Sequence, residues 1–311
     1  MPISRPMLFV LLVMALLVVS PGMAATFGSN PAVIHFKTVG DGGIVVPVKV
    51  NGAGPFEFLL DTGTTTTIID AKLAAQLKLP VTGKTIEHTS QKSLVLLKVL
   101  ANRLEVAGTA VNDLKLPVFP DGVIPGSPGV RGILGEDFLS RFDLLLDNRH
   151  HLLRMEQAPG PMGEMLLGEH VPLSSRGSFQ GQATLSRLML RVQVPELRIE
   201  ALTVLLDSGA TAPVVFRSAY REPLVSVSSR RPVEQVLVKM LRVGNLNLPN
   251  VLMRIPSQGE PADSDGLLPT SIFQSVYISH SGGFAIFNPG IKTVVPSGSG
   301  QMQASLATPS E

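Results

Sequence analysis

The chain has 311 residues, of which 44% are apolar, and its 26 basic and 24 acidic side chains leave a formal net charge of +2. This length and apolar content suit one large domain or two of ordinary size and exclude a disordered chain. The balanced charge, with no basic run between aromatic residues, argues against nucleic acid as a partner. Because these residues include no cysteine, disulfides and thiolate chemistry are excluded.

The N-terminus, residues 1–24, has the pattern of a secretory signal peptide. Arg5 precedes an apolar run from Met7 to Val19, and Ser20-Pro21-Gly22-Met23-Ala24 then supplies small residues suited to cleavage. The run is shorter than the roughly 20 residues that cross a bilayer, so we expect cleavage rather than an uncleaved membrane anchor. A secreted chain of this size without disulfides is typical of bacteria, so we expect a periplasmic or secreted protein with no membrane span after cleavage.

Residues 33–157 are predicted to form a first lobe of mainly β-structure, because short runs of Val, Ile, Leu and Thr alternate with Gly, Pro and Asn. The clearest predicted strands are Ile44–Val50, Phe56–Leu60, Leu104–Val106, Leu114–Val118 and Phe142–Leu146. One short helix is predicted at Ala71–Leu77, where Asp70 can cap the N-terminus and Pro80 prevents continuation.

A second β-rich lobe is predicted for residues 165–294. The stretch 156–163 has the Pro and Gly content of a linker, and the strand-like pattern resumes at Met165 and continues to about Lys292. Residues 295–311 are rich in Ser, Gly, Gln and Pro and are predicted to be a disordered tail.

One short pattern occurs twice, once in each predicted lobe. It reads Phe58-Leu59-Leu60-Asp61-Thr62-Gly63-Thr64 in the first and Val204-Leu205-Leu206-Asp207-Ser208-Gly209-Ala210 in the second. Each copy ends an apolar strand with an acid, a hydroxyl residue and a glycine. A single copy is an ordinary turn, whereas duplication with the same apolar lead predicts one site shared by two related halves.

A second pattern follows each acid. It reads Gly132-Ile133-Leu134-Gly135 in the first half and Gly266-Leu267-Leu268-Pro269 in the second. The acids are offset by 146 positions and the later glycines by 134, so the first half carries about 12 additional residues between the two patterns. The strand that precedes each acid also repeats, because Ile44–Val50 aligns with Leu188–Val194.

Ionising both carboxyl groups of a pair that meets across a twofold axis costs free energy, because the two like charges repel each other. The two pKa values therefore move apart, one upward and one downward. Such a pair holds one proton and titrates as a unit. The ionised member can then take a proton from water while the protonated member polarises a carbonyl, which is general acid and base catalysis without metal or covalent intermediate.

These motifs, together with the helix at Ala71–Leu77 and the run Gly132–Leu139, resemble the retropepsin-like aspartic protease family over nearly all of residues 33–292. The resemblance implies an all-β, two-lobed acid-protease fold with internal duplication and a few short helices. It implies Asp61 and Asp207 as the catalytic pair and Gly132 and Gly266 as glycines of the loop beneath each acid. It also implies supporting roles in the catalytic loops for Thr62, Gly63, Thr64, Ser208, Gly209 and Ala210, with Thr62 and Ser208 locking the two loops together.

The second half departs from the family pattern, since Pro269 and Thr270 replace a glycine and an acidic or polar residue. Members of the family usually fold a β-hairpin flap over the substrate, and Lys84–Leu100 is the candidate segment here. The only tyrosines are Tyr220 and Tyr277, so this segment lacks the flap tyrosine of the pepsin-like branch.

The sequence therefore predicts an aspartic endopeptidase that cleaves extended peptide segments, needs no cofactor or metal, and works as a monomer by pairing its own lobes. The six histidines lack a zinc-ligand spacing, and no Gly-x-Ser-x-Gly elbow is present, which argues against zinc and serine hydrolases. Two alternatives stay open: an inactive peptide-binding or scaffolding protein with the same fold, and a homodimer in which each half pairs with another chain.

Overall fold

A computed structural model describes residues 32–40, 42–88, 93–120, 129–174, 178–179, 182–183, 187–197, 199–216, 219, 233–256 and 264–292. The predicted signal peptide at 1–24 and tail at 295–311 lie outside these residues, as does the middle of the predicted flap at 89–92. The described part is dominated by strands with three short helices, so the all-β prediction is confirmed. None of the described helices has the length and apolar character needed to cross a membrane.

The first half consists of eleven strands and two of the helices. In chain order these are β1 (Ala32–His35), β2 (Lys37–Val39), β3 (Gly43–Val50), β4 (Ala53–Leu60), β5 (Ile68–Asp70), α1 (Ala71–Gln76), β6 (Val81–His88), β7 (Ser93–Val106), β8 (Thr109–Phe119), β9 (Val130–Leu134), α2 (Glu136–Leu139), β10 (Phe142–Asp147) and β11 (Leu152–Gln157).

The remainder begins with the third helix and continues with short and long strands. These are α3 (Met162–Met165), β12 (Leu166–Leu167), β13 (Val171–Pro172), β14 (Ser178–Phe179), β15 (Gln182–Ala183), β16 (Met189–Val194), β17 (Ile199–Asp207), β18 (Val214–Val215), β19 (Val233–Val243), β20 (Leu246–Pro256), β21 (Gly266–Pro269), β22 (Ser275–Ser279), β23 (Phe284–Phe287) and β24 (Gly290–Ile291). Single 3₁₀ turns lie at Pro195–Leu197 and Thr270–Ile272.

Helix α1 matches its prediction closely, ending one residue earlier. The Asp70 carboxylate accepts a hydrogen bond from the Leu73 amide at 2.7 Å, which satisfies one of the free N–H groups at the start of the helix. Leu73 is fully buried, so this short helix is held by its contact with the lobe rather than by its own length.

Each lobe has its own sheet with a related strand order. The first lobe forms an eight-stranded sheet in the order β2-β3-β4-β9-β5-β8-β7-β6, and the second forms a closed barrel in the order β16-β17-β21-β18-β20-β19. In both, the strand that leads to the acid pairs in parallel with the strand of the second pattern, β4 with β9 and β17 with β21. The repeat in the sequence is therefore a repeat in topology.

A third sheet joins the lobes, with the strand order β1-β11-β10-β22-β23-β13. Its two central strands come from different halves, and Leu144 of β10 pairs with Ile278 of β22. Ile278 lies 134 positions after Leu144, the same offset that relates Gly132 to Gly266. Leu144 therefore pairs with its own counterpart, which places a pseudo-twofold axis between these two strands.

The predicted linker is more ordered than its composition indicates. Glu156 and Gln157 complete β11, and α3 begins at Met162. The side chain of Glu156 is buried, and its Oε1 accepts a hydrogen bond from the Met162 amide at 2.7 Å. This bond ties the connection to the sheet that joins the lobes, and the connecting loop is reduced to residues 158–161.

Candidate active site

The two acids of the repeated pattern lie at the ends of equivalent strands. Asp61 directly follows β4, and its amide donates to the Leu134 carbonyl at 3.0 Å. Asp207 is the last residue of β17 and is paired in register with Pro269 of β21. Both acids are thus held where a strand ends against the neighbouring parallel strand, and the second pattern supplies that neighbour in each lobe.

Thr62 and Ser208 join the two acid loops by four reciprocal hydrogen bonds. The Thr62 amide donates to Ser208 Oγ, and the Ser208 amide donates to Thr62 Oγ1, each at 3.0 Å. Thr62 Oγ1 in turn donates to the Leu206 carbonyl, and Ser208 Oγ donates to the Leu60 carbonyl, each at 2.9 Å. Both residues are buried, so these bonds fix the two loops against each other away from water.

Gly63 and Gly209 each make room for the carboxyl group of the opposite loop. A Cβ atom on Gly63 would lie 2.5 Å from the Asp207 carboxyl carbon, and one on Gly209 would lie 2.6 Å from that of Asp61. Each glycine amide also donates to the acid of its own loop, at 2.8 Å in both lobes. Any side chain at either position would therefore collide with the opposite acid.

The pair of acids favours a shared proton. Burial and the neighbouring charge of Asp207 raise the pKa of Asp61 well above its ordinary value. Burial also raises the pKa of Asp207, but hydrogen bonds from the Gly209 amide, the Asp61 carboxyl and the Ala210 amide oppose that rise. Because each ionised carboxylate disfavours ionisation of the other, the pair titrates as a unit.

In the first lobe, a polar network supports the acid loop from below. The Gly135 amide donates to Thr67 Oγ1 at 3.0 Å, and the Thr67 amide donates to the Asp137 carboxylate at 2.8 Å. The Glu136 amide donates to the carbonyl of Thr64, the last residue of the repeated pattern, at 2.9 Å. The second pattern therefore holds the loop through main-chain as well as side-chain bonds.

Within the described residues, the second lobe does not repeat this network, because Pro269 and Thr270 occupy the positions that correspond to Gly135 and Glu136. Proline has no amide hydrogen, so Pro269 cannot make the bond that Gly135 makes. A 3₁₀ turn at Thr270–Ile272 takes the place of α2. Instead, the side chain of Asn148, from the first lobe, donates to the carbonyls of Thr270 and Phe273 at 2.8 and 3.0 Å.

Beneath the acid loops, a buried ion pair crosses between the lobes. His280 Nε2 lies 3.1 Å from Glu136 Oε2, and the two side chains are 3% and 1% exposed. The other ring nitrogen of His280 is 2.6 Å from the Phe142 carbonyl. Burial alone would lower the pKa of His280, but the hydrogen bond and charge of Glu136 outweigh it, so this pKa is raised. Burial likewise raises the pKa of Glu136, although His280 opposes the rise.

The neighbouring Ser281 does not form a nucleophile with His280. Its Oγ donates to the buried carboxylate of Asp143 at 2.8 Å, and its amide lies 3.2 Å from the other oxygen of that carboxylate. Asp143 therefore holds the turn after β22.

The segment predicted to be a flap, Lys84–Leu100, lies in the paired strands β6 and β7. On one face of this hairpin Leu96 is buried in an apolar cluster with Ile68 and Phe119, against which Ile133 also packs. Ile68 begins β5, and Ile133 lies on β9 beside the strand that leads to Asp61. The hairpin is therefore anchored next to the first acid loop, and its role as a flap stays a prediction.

The structure brings together all the site residues that the sequence singled out, namely Asp61, Thr62, Gly63, Thr64, Asp207, Ser208, Gly209 and Ala210. Their catalytic and supporting roles stay predictions. The sequence reasoning missed Arg187, Glu136, His280 and Asn148. Arg187 could have been found by extending the alignment of Ile44–Val50 with Leu188–Val194 one residue upstream, where it corresponds to Gly43.

No group of three or more His, Asp or Glu side chains within the described ranges is arranged to bind a metal ion. Residues 46–138 match a family model described as aspartyl protease. The matched range contains Asp61 and the whole of the second pattern in the first lobe, and it ends within α2. No curated protein matches the chain.

Proposed function

We propose that this chain is an aspartic endopeptidase with Asp61 and Asp207 as its catalytic pair, and the match of residues 46–138 to an aspartyl protease family model supports the proposal. The observation that carries the proposal is that each carboxyl group lies against the glycine of the opposite loop, which leaves no space for a Cβ atom on Gly63 or Gly209. Two acids whose pKa values are both raised and which interact with each other share one proton, which is the state that acid and base catalysis on an amide requires.

In this reaction, a water molecule bound between the acids attacks the carbonyl carbon of the scissile peptide bond. One carboxylate takes a proton from the water while the protonated acid donates to the carbonyl oxygen, giving a tetrahedral intermediate. Collapse of this intermediate breaks the C–N bond and delivers a proton to the leaving nitrogen. No covalent enzyme intermediate or metal is involved.

The proposed substrate is an extended polypeptide lying between the lobes and covered by the hairpin β6–β7. We expect a preference for apolar side chains on both sides of the cut bond, because a site between two lobes rich in Val, Leu and Ile rewards the burial of apolar side chains. The proposed location is the bacterial periplasm or exterior, which depends on the signal pattern in residues 1–24.

The test is peptide-mixture mass spectrometry with the chain from Ala25 to Glu311, incubated from acidic to neutral pH beside Asp61→Asn and Asp207→Asn variants. We expect cuts from the wild-type protein and a loss of about four orders of magnitude in rate with either variant, since general acid–base catalysis of this kind contributes up to that factor. Turnover retained in Asp61→Asn would remove Asp61 from the mechanism.

A second candidate function is an inactive peptide-binding protein with the same cleft, and the observation that favours it is the missing support beneath the second acid. Pro269 and the 3₁₀ turn replace the network of Thr67, Gly135 and Asp137. This candidate predicts saturable peptide binding, equal in the wild-type and Asp207→Asn proteins, and no cut products at any pH.

A further inference from the structure

We propose that three differences between the two halves divide the roles of the acids, so that Asp61 carries the shared proton and Asp207 carries the negative charge. Arg187 and Glu136 act as the two positioning residues of this division. The inference rests on the proposed peptidase function for its consequence in catalysis, but each of its steps concerns charges and hydrogen bonds in the protein alone.

The first difference is the number of N–H donors on each carboxylate. Asp207 Oδ1 accepts from the amides of Gly209 and Ala210, at 2.8 and 3.0 Å. Asp61 Oδ1 accepts from the Gly63 amide at 2.8 Å, whereas the Thr64 amide points to the Asp61 main-chain carbonyl at 3.4 Å. Hydrogen bonds to a carboxylate favour its ionised form, so the additional donor favours charge on Asp207.

The second difference is the residue opposite each acid on the preceding strand. Met189 pairs with Leu205, and the Leu206 amide donates to the Leu188 carbonyl at 2.8 Å, so the next position places Arg187 opposite Asp207. Its positive charge lowers the pKa of Asp207.

The first lobe has no charge at the equivalent position. Val45 pairs with Leu59 in antiparallel strands, so two positions further along each strand Gly43 lies opposite Asp61. Gly43 is buried, and a Cβ atom there would lie 2.9 Å from the Leu59 side chain, so no longer side chain fits without displacing it. The strand before the acid therefore places an arginine in register with Asp207 and a glycine in register with Asp61.

The third difference lies beneath the acids. Glu136 is fully buried under the Asp61 loop, and its amide is bonded to Thr64. The corresponding residue in the second half, 134 positions later, is the uncharged Thr270. After burial and the charge of Asp207, the carboxylate of Glu136 is a further cause of the raised pKa of Asp61. His280, 3.1 Å away, opposes the rise that burial causes in the pKa of Glu136 and so favours the ionised form of this carboxylate.

The charged groups around the pair therefore all act in one direction. Among the described residues, the charges of Asp207 and Glu136 raise the pKa of Asp61, while the charge of Arg187 opposes the rise that burial causes in the pKa of Asp207. The charge of His280 lowers the pKa of Glu136, and the neighbouring Asp137 raises it. The charge of Asp143 also raises the pKa of His280. Both halves have an acid at the strand end, but their surroundings are not equivalent.

This division sets the direction of the proton transfers. Asp207 takes a proton from the attacking water as the O–C bond forms, and Asp61 gives its proton to the carbonyl oxygen. When the C–N bond breaks, Asp61 recovers a proton from a hydroxyl of the intermediate and Asp207 delivers its proton to the leaving nitrogen. The pair returns to its starting state, with Asp61 protonated and Asp207 ionised.

The experiment uses the full chain from Ala25 with ¹³C-labelled aspartate carboxyl groups, titrated by NMR. Asp61→Asn leaves Asp207 to titrate without its partner, and Asp207→Asn does the same for Asp61, so the two are compared without coupling. We expect Asp207 to titrate below Asp61. In the Asp61→Asn background, Arg187→Gln should raise the Asp207 titration by about one pH unit, and Arg187→Lys should restore most of that shift.

In the Asp207→Asn background, Glu136→Gln should lower the titration of Asp61. If that variant does not fold, Glu136→Gln combined with His280→Gln removes both charges together and tests the same step. Arg191→Gln and Glu57→Gln are the matched controls, because these residues lie on β16 and β4 but are not next to the acids, and neither should move either titration. An Asp207 that titrates above Asp61, or an Arg187→Gln shift no larger than that of Arg191→Gln, overturns the inference.

A parallel measurement of peptide cleavage against pH separates this inference from the proposed function. In an active enzyme, Arg187→Gln should move the acidic limb of the pH–rate profile to higher pH. Glu136→Gln should move the basic limb to lower pH. If the wild-type protein cuts no peptide, the proposed function fails, while the carboxyl titrations still decide the division of charge. If it cuts and both limbs stay in place, the division fails although the peptidase function holds.

Discussion

Thr62 and Ser208 show what a single hydroxyl contributes when it is buried at a pseudo-twofold axis. Each hydroxyl accepts from the main chain of the opposite loop and donates to the opposite strand. A lost hydroxyl therefore leaves an unsatisfied amide and an unsatisfied carbonyl, and both groups are buried. The repeated pattern predicts a hydroxyl residue at both positions, but only the assembled pair explains why.

Replacing Thr62 by valine tests this role at constant shape. We expect the free energy of unfolding to fall by roughly 2 to 4 kcal/mol, because one buried donor and one buried acceptor lose their partner. Urea denaturation of Thr62→Val beside Thr62→Ser measures it, since serine keeps the hydroxyl and should retain most of the stability. Equal midpoints for valine and the wild type would show that the hydroxyl is not needed to hold the loops together.

At the scale of elements, α2 and the turn after β22 are joined by the ion pair of Glu136 and His280. The two residues lie 144 positions apart in the sequence, and each belongs to the structural layer just beneath an acid loop. A buried ion pair contributes little more to stability than apolar residues packed in its place. Loss of one partner nevertheless destabilises the fold strongly, because it leaves an uncompensated buried charge. The pair therefore makes the position of each element depend on the other lobe.

His280→Gln tests this dependence through pH. The pKa of His280 is raised in the folded protein, so its stabilising charge is fully present below the unfolded value of about 6.5 and is lost as pH rises through the folded pKa. While Glu136 is ionised, the variant should be less stable than the wild type by about 3 kcal/mol at neutral pH, and the difference should shrink at alkaline pH.

Chemical denaturation across pH measures that difference, and His150→Gln is the matched control. His150 pairs with Asp147, but its side chain is 63% exposed, so its loss should change stability little at any pH. If the loss of stability in His280→Gln does not vary with pH, the imidazole stabilises the fold by packing and its charge has no role.

At the scale of the whole molecule, the two lobes share one apolar core and one sheet. The main cluster of buried side chains includes residues from both halves, such as Val46 and Val192. β10 and β22 pair within one chain, and so do the loops of Asp61 and Asp207. The contacts that a homodimer of half-size subunits would make between chains are therefore made within a single chain.

We accordingly predict that the active species is a single chain. Sedimentation of the protein from Ala25 to Glu311 should give the mass of one chain, and specific activity should stay constant on dilution because the two acids belong to the same molecule. Loss of activity on dilution, together with a dimer at high concentration, would support the alternative in which each half pairs with another chain.

The sequence by itself predicted the β-rich character of the chain, a helix at Ala71–Leu77 that ends one residue earlier in the structure, and a repeated pattern with its two acids. These features are local, because each can be recognised within a few residues of sequence. They are the strand alternation, the Asp70 cap and the repeated acid, hydroxyl residue and glycine. The repeat also predicted that the two acids would meet, because two related halves imply a twofold axis.

Only the tertiary structure decided what surrounds each acid. Glu136 and His280 meet because the lobes join, Arg187 faces Asp207 because of strand register, and Asn148 reaches Thr270 across the interface. The alignment of the two halves could have singled out the position of Arg187, but none of these contacts can be read from the sequence, since they depend on distances between segments far apart in the chain. Burial is likewise a property of the assembled protein, and it is the main cause of the raised pKa values of the two acids.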